Sequence, residues 1–346
     1  MEIITFNSSE YVDDLSLFLS QNNHLIFHTS PYKKFIEEAF GCNYELIAVI
    51  DQGQIQLLLP LVKIKNKLLG NKIISSAYIE YGGFAGEEKY VPELINYLTE
   101  KYKDEYDYLE IRGGLENFDS VLSSQLQKEN LYKRFVLKLE SKETIWKNIQ
   151  KSKRKAIKKA LDGVEVKELS FENINELYHL YCRNMHSFGS PPYSKQYFFS
   201  FYHNLVENKL GKMLGSFYNG KLVSALVGFC YQDRVHILIA VSDQKFQEFR
   251  PNDAMHWKFI EWAIDKGFKW FDFGRVREDS GQFEYKQKWG PELKELPSYF
   301  LLWKTKEVPI VDPHSGKNKL LVNLWKLMPL WFTKLVGMRL RKGLGI

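Results

Sequence analysis

The chain has 346 residues, of which 45% are hydrophobic and 26% charged, and this composition excludes a disordered or fibrous protein. The length predicts two domains of ordinary size. The formal net charge of +6 is modest for this length, and we expect no DNA partner.

Three cysteines, Cys42, Cys182 and Cys230, lie far apart and show neither a disulfide framework nor a zinc-ligand spacing. His179 lies one turn from Cys182 without a second ligand pair, so we expect no metal. The first residues lack the basic and apolar regions of a signal peptide, and no uncharged apolar run approaches about 18 residues. These features predict a reducing, cytoplasmic location.

The first half carries a strand–turn–strand pattern at 46–59, LIAVIDQGQIQLLL, in which Gly53 supplies the turn. A helical stretch at 92–103 then precedes the strand YDYLEIRGG at 106–114. Between the halves, IWKNIQKSKRKAIKKALDG at 145–163 predicts one helix, which we take as the domain boundary.

The run at 151–159 within this connector holds six positive charges and no acid. Such a run is typical of a solvated helix face. The alternative is an anion site for the phosphates of a nucleotide, RNA or lipid pyrophosphate, where the fork of Arg154 would grip phosphate through two bonds. Further along, GSPPYS at 189–194 indicates a rigid turn, or a substrate-lining segment that uses Ser190 and Tyr193.

The pattern of the first half returns in the second. Residues 214–228 form a hairpin pattern around Asn219-Gly220, and a helical stretch at 252–267 precedes the strand FKWFDFGRV at 268–276. The offset from Gly53 to Gly220 is 167 residues and that from Glu110 to Asp272 is 162, so we interpret the two halves as a duplication. Within this half, His236 in a strand and His256 in a helix are expected to pack or cap.

Residues 271–290, FDFGRVREDSGQFEYKQKWG, are the densest group of functional residue types. Side chains at the carboxyl end of a strand in an α/β sheet commonly face the ligand. Arg275 and Lys286 would bring two positive charges to that end, with Tyr285 and Trp289 as aromatic walls. The alternative is a loop locked by salt bridges from Arg275 to Glu278 or Asp279.

This series, a strand ending FDFGR, then DSG, then an aromatic–Lys pair and WG, resembles the FemABX family of peptidoglycan-bridge aminoacyltransferases. Other segments between about residues 25 and 340 resemble the exopolysaccharide-associated branch of the family: FHTSPYKKFIEEAF (27–40), LPL (59–61), SAYIEYGGF (76–84), KSKRKAIKKA, GSPPYSKQYFF (189–199), PNDAMHW (251–257) and LWKLMPL (324–330). No sustained charged heptad pattern matches the coiled-coil arm of the staphylococcal-type members, which disfavours a peptidoglycan-bridge substrate.

The resemblance implies an α/β (α+β) fold of two tandem GNAT-like domains, each a mixed twisted sheet flanked by helices, followed by an amphipathic C-terminal helix. We expect an N-terminal GNAT-like domain at 1–143, a basic connecting helix at 144–163, a catalytic GNAT-like domain at 164–308 and a basic amphipathic tail at 309–346.

The resemblance also implies acyl or aminoacyl transfer from an activated donor to an amino group of a cell-envelope precursor (peptidoglycan or polysaccharide), without a resident cofactor. QEFRPNDAMHW (247–257) stands where a GNAT domain holds the pyrophosphate of acyl-CoA, but it contains no glycine, and Pro251 lacks a backbone N–H. Aminoacyl-tRNA is therefore the favoured donor. The alternatives are acyl-CoA-dependent N-acylation of an amino sugar or lipid-linked saccharide, and a non-catalytic protein that binds polysaccharide or tRNA.

The matching family lysine implies that Lys286 stabilises the oxyanion of a tetrahedral intermediate, with Tyr285 packing or orienting the reacting groups. No general base is evident, although Asp279 or Glu284 could serve. The expected substrate contacts are Arg275, Arg154, Trp289, Asn252, Ser190, Tyr193 and Tyr81.

From Gly316 to Lys342 the sequence has seven Lys or Arg and no acid. Apolar residues recur there at helical spacing, and Pro329 should kink or split the helix: they are Leu320, Leu324, Leu327, Trp331, Leu335 and Met338. This tail either packs against the second domain or lies on anionic lipid at the inner face of the membrane, where a lipid-linked acceptor would reside.

Overall fold

The computed structural model describes residues 1–6, 12–67, 69–309 and 316–345. Contacts divide the chain into two compact units. The first unit comprises Met1–Leu131, Leu296–Val311 and Arg339–Ile346, and the second comprises Tyr132–Glu295 and Asp312–Met338.

The strands are, in chain order, β1 (Glu2–Phe6), β2 (Tyr44–Asp51), β3 (Gln54–Ile64), β4 (Lys72–Ser75), β5 (Ala85–Gly86), β6 (Tyr108–Arg112), β7 (Gln127–Lys138), β8 (Glu165–Glu168), β9 (Gly211–Tyr218), β10 (Lys221–Tyr231), β11 (Arg234–Ser242), β12 (Trp270–Val276) and β13 (Glu292–Leu302). The α-helices are α1 (Val12–Gln21), α2 (Ser30–Phe40), α3 (Val91–Tyr102), α4 (Asp119–Gln125), α5 (Lys142–Asn148), α6 (Lys151–Gly163), α7 (Ile174–Phe188), α8 (Lys195–Phe201), α9 (Pro251–Asp265), α10 (Gly281–Gln287), α11 (Gly316–Leu327) and α12 (Leu330–Leu344).

The sheet of the first unit has the order β1-β2-β3-β4-β6-β13, with β5 added beside β3. Its neighbours are antiparallel except for β4 and β6, which run parallel over three residue pairs that end with Ile74 opposite Glu110. The apolar faces of α3 and α4 contribute to the core of this unit, together with β2, β3 and β6.

The sheet of the second unit has the order β8-β9-β10-β11-β12-β7 and repeats the same strand directions. Its parallel pair, β11 and β12, also covers three residue pairs and ends with His236 opposite Asp272. Glu110 and Asp272 therefore hold equivalent positions, as the sequence offsets predicted. The predicted mixed α/β architecture of tandem GNAT-like sheets is confirmed.

The two hairpin turns of the repeat have the same backbone geometry. Gln52 and Gly53 have φ of 51° and 74°, and Asn219 and Gly220 have φ of 49° and 74°. Positive φ at both central residues matches the right-handed twist of the flanking strands, and glycine adopts it without a steric cost.

The two compact units do not contain the same strands as the two predicted domains. Residues 133–138 of β7, predicted to end the first domain, pair with β12 in the second unit. Residues 298–302 of β13, predicted to end the catalytic domain, pair with β6 in the first unit. Both strands pair with partners more than 130 residues away in the chain, so local sequence patterns could not assign them to a sheet.

The predicted connecting helix is two helices, α5 and α6. Ile149 interrupts them with an extended backbone (ψ 136°) and is buried in the core of the second unit, as is Ile145. The Gln150 N–H donates to the carbonyl of Lys288 instead of continuing the helix. Burial of Ile149 and this external hydrogen bond explain the break. The C-terminal tail also splits, at Pro329, into α11 and α12, as its sequence predicted.

Candidate active site

The two parallel strands of the second unit separate toward their carboxyl ends. Beyond His236 and Asp272, β11 continues beside β10 to Ser242, whereas β12 resumes its pairing with β7 at Arg275. The separation begins at a bulge where Gly274 has φ of 74°, a conformation that favours glycine. The carboxyl ends of parallel strands are the usual ligand side of an α/β sheet, so this separation marks the candidate site.

A buried ion pair fixes the point at which the strands part. The Arg134 guanidinium lies 3.0 Å from the Asp272 carboxylate, which is fully buried and also accepts from the Gly274 N–H at 2.9 Å. Burial alone would raise the pKa of Asp272, but the nearby positive charges and the Gly274 hydrogen bond hold it below its usual value. Asp272 therefore remains a structural anion at this point.

The first turn of α9 closes one side of the site. Arg250 precedes it in the left-handed conformation, and the helix begins at Pro251. The Asn252 side chain accepts from the Ser224 hydroxyl at 2.6 Å and contacts the Ser242 hydroxyl at 3.2 Å. Asn252, predicted as a substrate contact, thus also ties α9 to β10 and β11.

A second buried ion pair lies beside this turn. Lys153 of α6 donates to the Asp253 carboxylate at 2.7 Å, and both side chains are about 95% buried. The Lys153 ammonium also lies 3.6 Å from the centroid of the Tyr285 ring and 5.2 Å from that of Trp289. Burial lowers the pKa of Lys153, and the Asp253 charge acts in the opposite direction.

His256 completes this cluster from the next turn of α9. Its Nδ1 donates to the carbonyl of Asn252 at 2.7 Å and lies 3.3 Å from the Tyr285 hydroxyl. Burial lowers the pKa of His256 to about 4, so the ring is neutral at pH 7. The packing and capping role predicted for His256 agrees with these contacts. Burial together with the Asp253 charge raises the pKa of Tyr285 well above its usual value.

Trp289 lies deeper than an aromatic wall of a cleft would. It is fully buried and packs against His256, Phe273 and Tyr285. Tyr285 is only half-buried, so of these two predicted aromatic walls it is the one that reaches the surface.

Lys286 projects from α10 to the carboxyl end of β12. Its ammonium donates to the carbonyl oxygens of Gly274 and Arg275, at 3.0 and 2.8 Å. The side chain is half-buried. The bulge at Gly274 and the short helix α10 therefore fix a positive charge beside the place where β11 and β12 separate.

The charged side chains at the end of β12 and in the loop before α10 contact one another and their neighbours. The Arg275 guanidinium lies over the ring of Tyr132, with 4.9 Å between Cζ and the ring centroid. Asp279 pairs with Arg277 through both oxygens, at 3.1 Å, and is 55% exposed. Glu278 pairs with Lys133. Salt bridges of Arg277 and Lys133 therefore contribute to holding the loop, in keeping with the alternative interpretation.

Arg154 caps a helix. Its Nη1 donates to the carbonyls of Trp146 and Lys147, at 3.1 and 2.8 Å, near the end of α5. Its role in phosphate binding stays a prediction.

Three other predicted substrate contacts have neighbours of their own. Tyr193 is buried and stacks on Tyr197, with 4.1 Å between ring centroids, while Ser190 is half-buried and donates its backbone N–H to Met185. Tyr81 is in the first unit, where it is 1% exposed and packs edge-on against Phe27.

Lys153, Asp253 and His256 were not predicted as functional residues. The signal for Lys153 was present in the sequence, because it shares one helical face with Ile157 and Ala160, which are also buried. The sequence interpretation treated the six charges of the run together and so overlooked that Lys153 lies on the apolar face of the helix. Among the described residues, no group of three or more His, Cys, Asp or Glu side chains is arranged to hold a metal ion.

Residues 147–287 match a family described as Acetyltransferase (GNAT) domain. This region includes α6, the parallel pair and α10, and so contains Lys153, Asp253, His256, Tyr285 and Lys286. The chain is therefore an acyltransferase with a GNAT domain.

Solved structures show how widely the fold of this chain occurs. A crystal structure of FemX aligns with a TM-score of 0.69 at 14% identity, covering 88% of this chain and 98% of FemX. The C-terminal domain of a proposed lysylphosphatidylglycerol synthetase from Agrobacterium fabrum gives 0.60 at 11% identity, covering 85% and 92%. A tandem GNAT protein from the clavulanic acid biosynthesis pathway gives 0.57 at 8% identity, covering 88% and 99%. No curated protein matches the sequence.

The chain thus carries a GNAT domain at residues 147–287 and shares the fold of FemX, as the sequence resemblance predicted. Membership of the exopolysaccharide-associated branch stays a prediction. Within the described part of the chain, no helix has both the length and the apolar character of a membrane span.

Proposed function

We propose that this acyltransferase moves an aminoacyl group from aminoacyl-tRNA to an amino group of a cell-envelope precursor, on the cytoplasmic side of the membrane. The fixed ammonium of Lys286 is the observation that carries the proposal. The acceptor class is supported by likeness in fold to FemX and to a proposed synthetase named for an aminoacylated lipid. The location is supported by three cysteines that are all free.

In the proposed reaction the acceptor amine attacks the carbonyl carbon of the aminoacyl ester. A C–N bond forms, the carbonyl oxygen takes the electron pair of its π bond, and the C–O bond to the tRNA ribose then breaks. The amine loses one proton and the departing ribose oxygen gains one. Negative charge on the carbonyl oxygen peaks between these steps, and a positive group already held in place stabilises it without reorganisation.

Lys286 suits this role because the carbonyls of Gly274 and Arg275 hold its ammonium in one position at the strand ends. Tyr285 would orient the reacting groups, since Lys153 and His256 hold its ring and hydroxyl. Asp279 is less suited to act as the base, because both of its oxygens bind Arg277. We propose that the departing oxygen or water takes the proton.

The first turn of α9 supports tRNA over acyl-CoA as the donor. Pro251 occupies the first helical position, and the Asp253 carboxylate lies in the first turn. A pyrophosphate at this helix end would meet one backbone N–H fewer than usual, and the Lys153–Asp253 pair offers it no net positive charge. Acyl-CoA remains the alternative donor, with an amino sugar or lipid-linked saccharide as acceptor.

The exposed lysines of α6 would contact the tRNA backbone. Lys151, Lys155, Lys158 and Lys159 all face solvent, whereas Lys153 faces inward. If each exposed lysine neutralises one phosphate, Lys155→Gln/Lys158→Gln should weaken tRNA binding and lower its salt dependence, by roughly 0.7–0.9 in log–log slope per lysine. Filter binding of charged tRNA across a salt series measures this slope. An unchanged slope would remove α6 from the tRNA site.

The catalytic proposal is tested with Lys286→Met, which keeps the aliphatic stem and removes the charge. Purified full-length protein is given either a pool of radiolabelled aminoacyl-tRNAs or radiolabelled acetyl-CoA, together with a lysine-containing peptidoglycan stem peptide or glucosamine as acceptor. We expect transfer from aminoacyl-tRNA, with kcat about 10²- to 10³-fold lower in the variant, as for loss of an oxyanion donor.

Lys269→Met is the matched control, because Lys269 is exposed and immediately precedes the amino end of the same strand, β12. It should transfer at the wild-type rate, and circular dichroism should show both variants folded. Wild-type turnover in Lys286→Met would exclude the oxyanion role. Transfer from acetyl-CoA alone would favour the alternative donor.

A further inference from the structure

The two C-terminal helices expose an unusual amount of apolar surface. Within the sixteen residues 320–335, six large apolar side chains are each at least 45% exposed, and Leu327 reaches 82%. We define the C-terminal apolar surface as these six side chains: Leu320, Leu321, Leu324, Leu327, Trp331 and Leu335. Exposed apolar residues that cluster in this way usually mark a binding surface, so we expect this segment to bind a partner.

The opposite sides of these helices are anchored within the second unit. Trp325 and Thr333 are buried, and His186 Nε2 donates to the Met328 carbonyl at 2.8 Å. Gly337 packs so closely on Pro192 that an added Cβ would lie 2.5 Å from its Cδ. The helices therefore pack against the protein on one side and expose apolar side chains on the other. Packing on the second unit, one of the two alternatives for this tail, thus leaves a surface free for the other, contact with lipid.

The charge around this surface has one sign. Residues 316–338 contain four lysines and no acid, and Lys319 and Lys326 are exposed. A second copy of the chain docking through the same surface would bring like charges together, which opposes association. An anionic bilayer instead offers both an apolar phase and a negative surface. Trp331, with 67% of its side chain exposed, is a residue type that favours the membrane–water interface.

We propose that α11 and α12 hold the protein on an anionic lipid bilayer, with the C-terminal apolar surface inserted among the acyl chains and the lysines beside the headgroups. This surface is distinct from the transfer site of the proposed function. It would raise the local concentration of any acceptor that is linked to lipid.

Flotation of the full-length protein with vesicles tests this proposal. One set contains phosphatidylglycerol and phosphatidylcholine, and the other contains phosphatidylcholine alone. We expect binding to the first set and at least tenfold weaker binding to the second. Lys319→Gln/Lys326→Gln should lower affinity for anionic vesicles by about fivefold for each lysine removed. Leu327→Gln/Trp331→Gln/Leu335→Gln should abolish flotation with both sets.

The controls match the variants in chemistry and exposure. Leu17→Gln/Leu293→Gln removes two exposed leucines elsewhere, and Lys158→Gln/Lys159→Gln removes two exposed lysines of α6. Both controls should float like the wild type. The apolar triple variant should keep wild-type transfer to a soluble acceptor, so failure of lipid binding and failure of the transfer proposal are separable. The proposal is overturned if the wild type does not float, if the triple variant floats equally well, or if this surface instead mediates dimerisation in sedimentation.

Discussion

Replacement of Lys153 by Met tests whether the buried ion pair supports the site. The variant keeps most of the side-chain volume but leaves the Asp253 carboxylate, 4% exposed, without its cation. Removal of one partner of a buried pair typically costs about 3–5 kcal/mol. Loss of the cation–π contact with Tyr285 would add to this by up to about 2 kcal/mol, because the ammonium is desolvated at 3.6 Å from the ring. We expect Lys153→Met to lower the free energy of unfolding of the second unit by about 5 kcal/mol.

The exposed pair Lys142–Asp265 is the matched control. Its atoms approach to 2.6 Å, close to the 2.7 Å of the buried pair, but the side chains are 37% and 59% exposed. Exposed pairs contribute about 0.2–1 kcal/mol, so Lys142→Met should have a small effect. The double variant Lys153→Met/Asp253→Asn should recover most of the loss, because it removes the uncompensated charge.

Urea unfolding followed by circular dichroism and tryptophan fluorescence measures these differences, with the slopes compared to detect changes in cooperativity. If Lys153→Met costs less than about 1 kcal/mol, as is typical of an exposed pair, the ammonium is not buried as described. A double variant no more stable than the single one would show that packing, and not charge, explains the loss.

Three further predictions concern pH and the duplicated architecture. His256 has a folded pKa of about 4, below its unfolded value of 6.5, so its contribution is complete above pH 6.5 and is lost as the pH falls through 4. The free energy of unfolding, measured by urea titration at each pH, should fall by about 3 kcal/mol across this range. His256→Gln should make the free energy of unfolding less dependent on pH, and an unchanged dependence would contradict the assignment. Gly53→Ala and Gly220→Ala should each cost about 1 kcal/mol by thermal unfolding, because both glycines have φ of 74° with no atom near the added Cβ. Unequal costs would argue against equivalent turns. Arg112→Met should destabilise the first unit by about 3 kcal/mol in urea, since its guanidinium binds Glu110 and the Gly345 carbonyl; a change below about 1 kcal/mol would refute this.

Elements with local signals could be predicted from the sequence. The turns at Gly53 and Asn219-Gly220 require positive φ, and the strands that precede them carry apolar runs, so both hairpins are present at the predicted positions. The series from FDFGR to WG likewise placed Lys286 and Tyr285 together on α10 after β12. These features depend on residues close together in the chain.

Features that depend on distant partners could not be predicted in this way. The connector reads as one helix, but burial of Ile149 divides it. The basic run favoured Arg154 for its chemistry, whereas the structure buries Lys153 beside Asp253 and Tyr285. The helical face of Ile157 and Ala160 indicates that Lys153 is the lysine that faces inward, but the partners that it meets there, Asp253 and Tyr285, are set by packing.

The sequence by itself determined the duplicated hairpins and the placement of Tyr285 and Lys286 after the strand of FDFGR, because turn chemistry and hydrophobic period act over a few residues. Only the tertiary structure decided which strands complete each sheet, which side chains surround the buried lysine and which side of the C-terminal helices faces solvent. The strand pairs that complete each sheet and the buried Lys153–Asp253 pair join residues a hundred or more positions apart, and their free energies arise only when those surfaces meet.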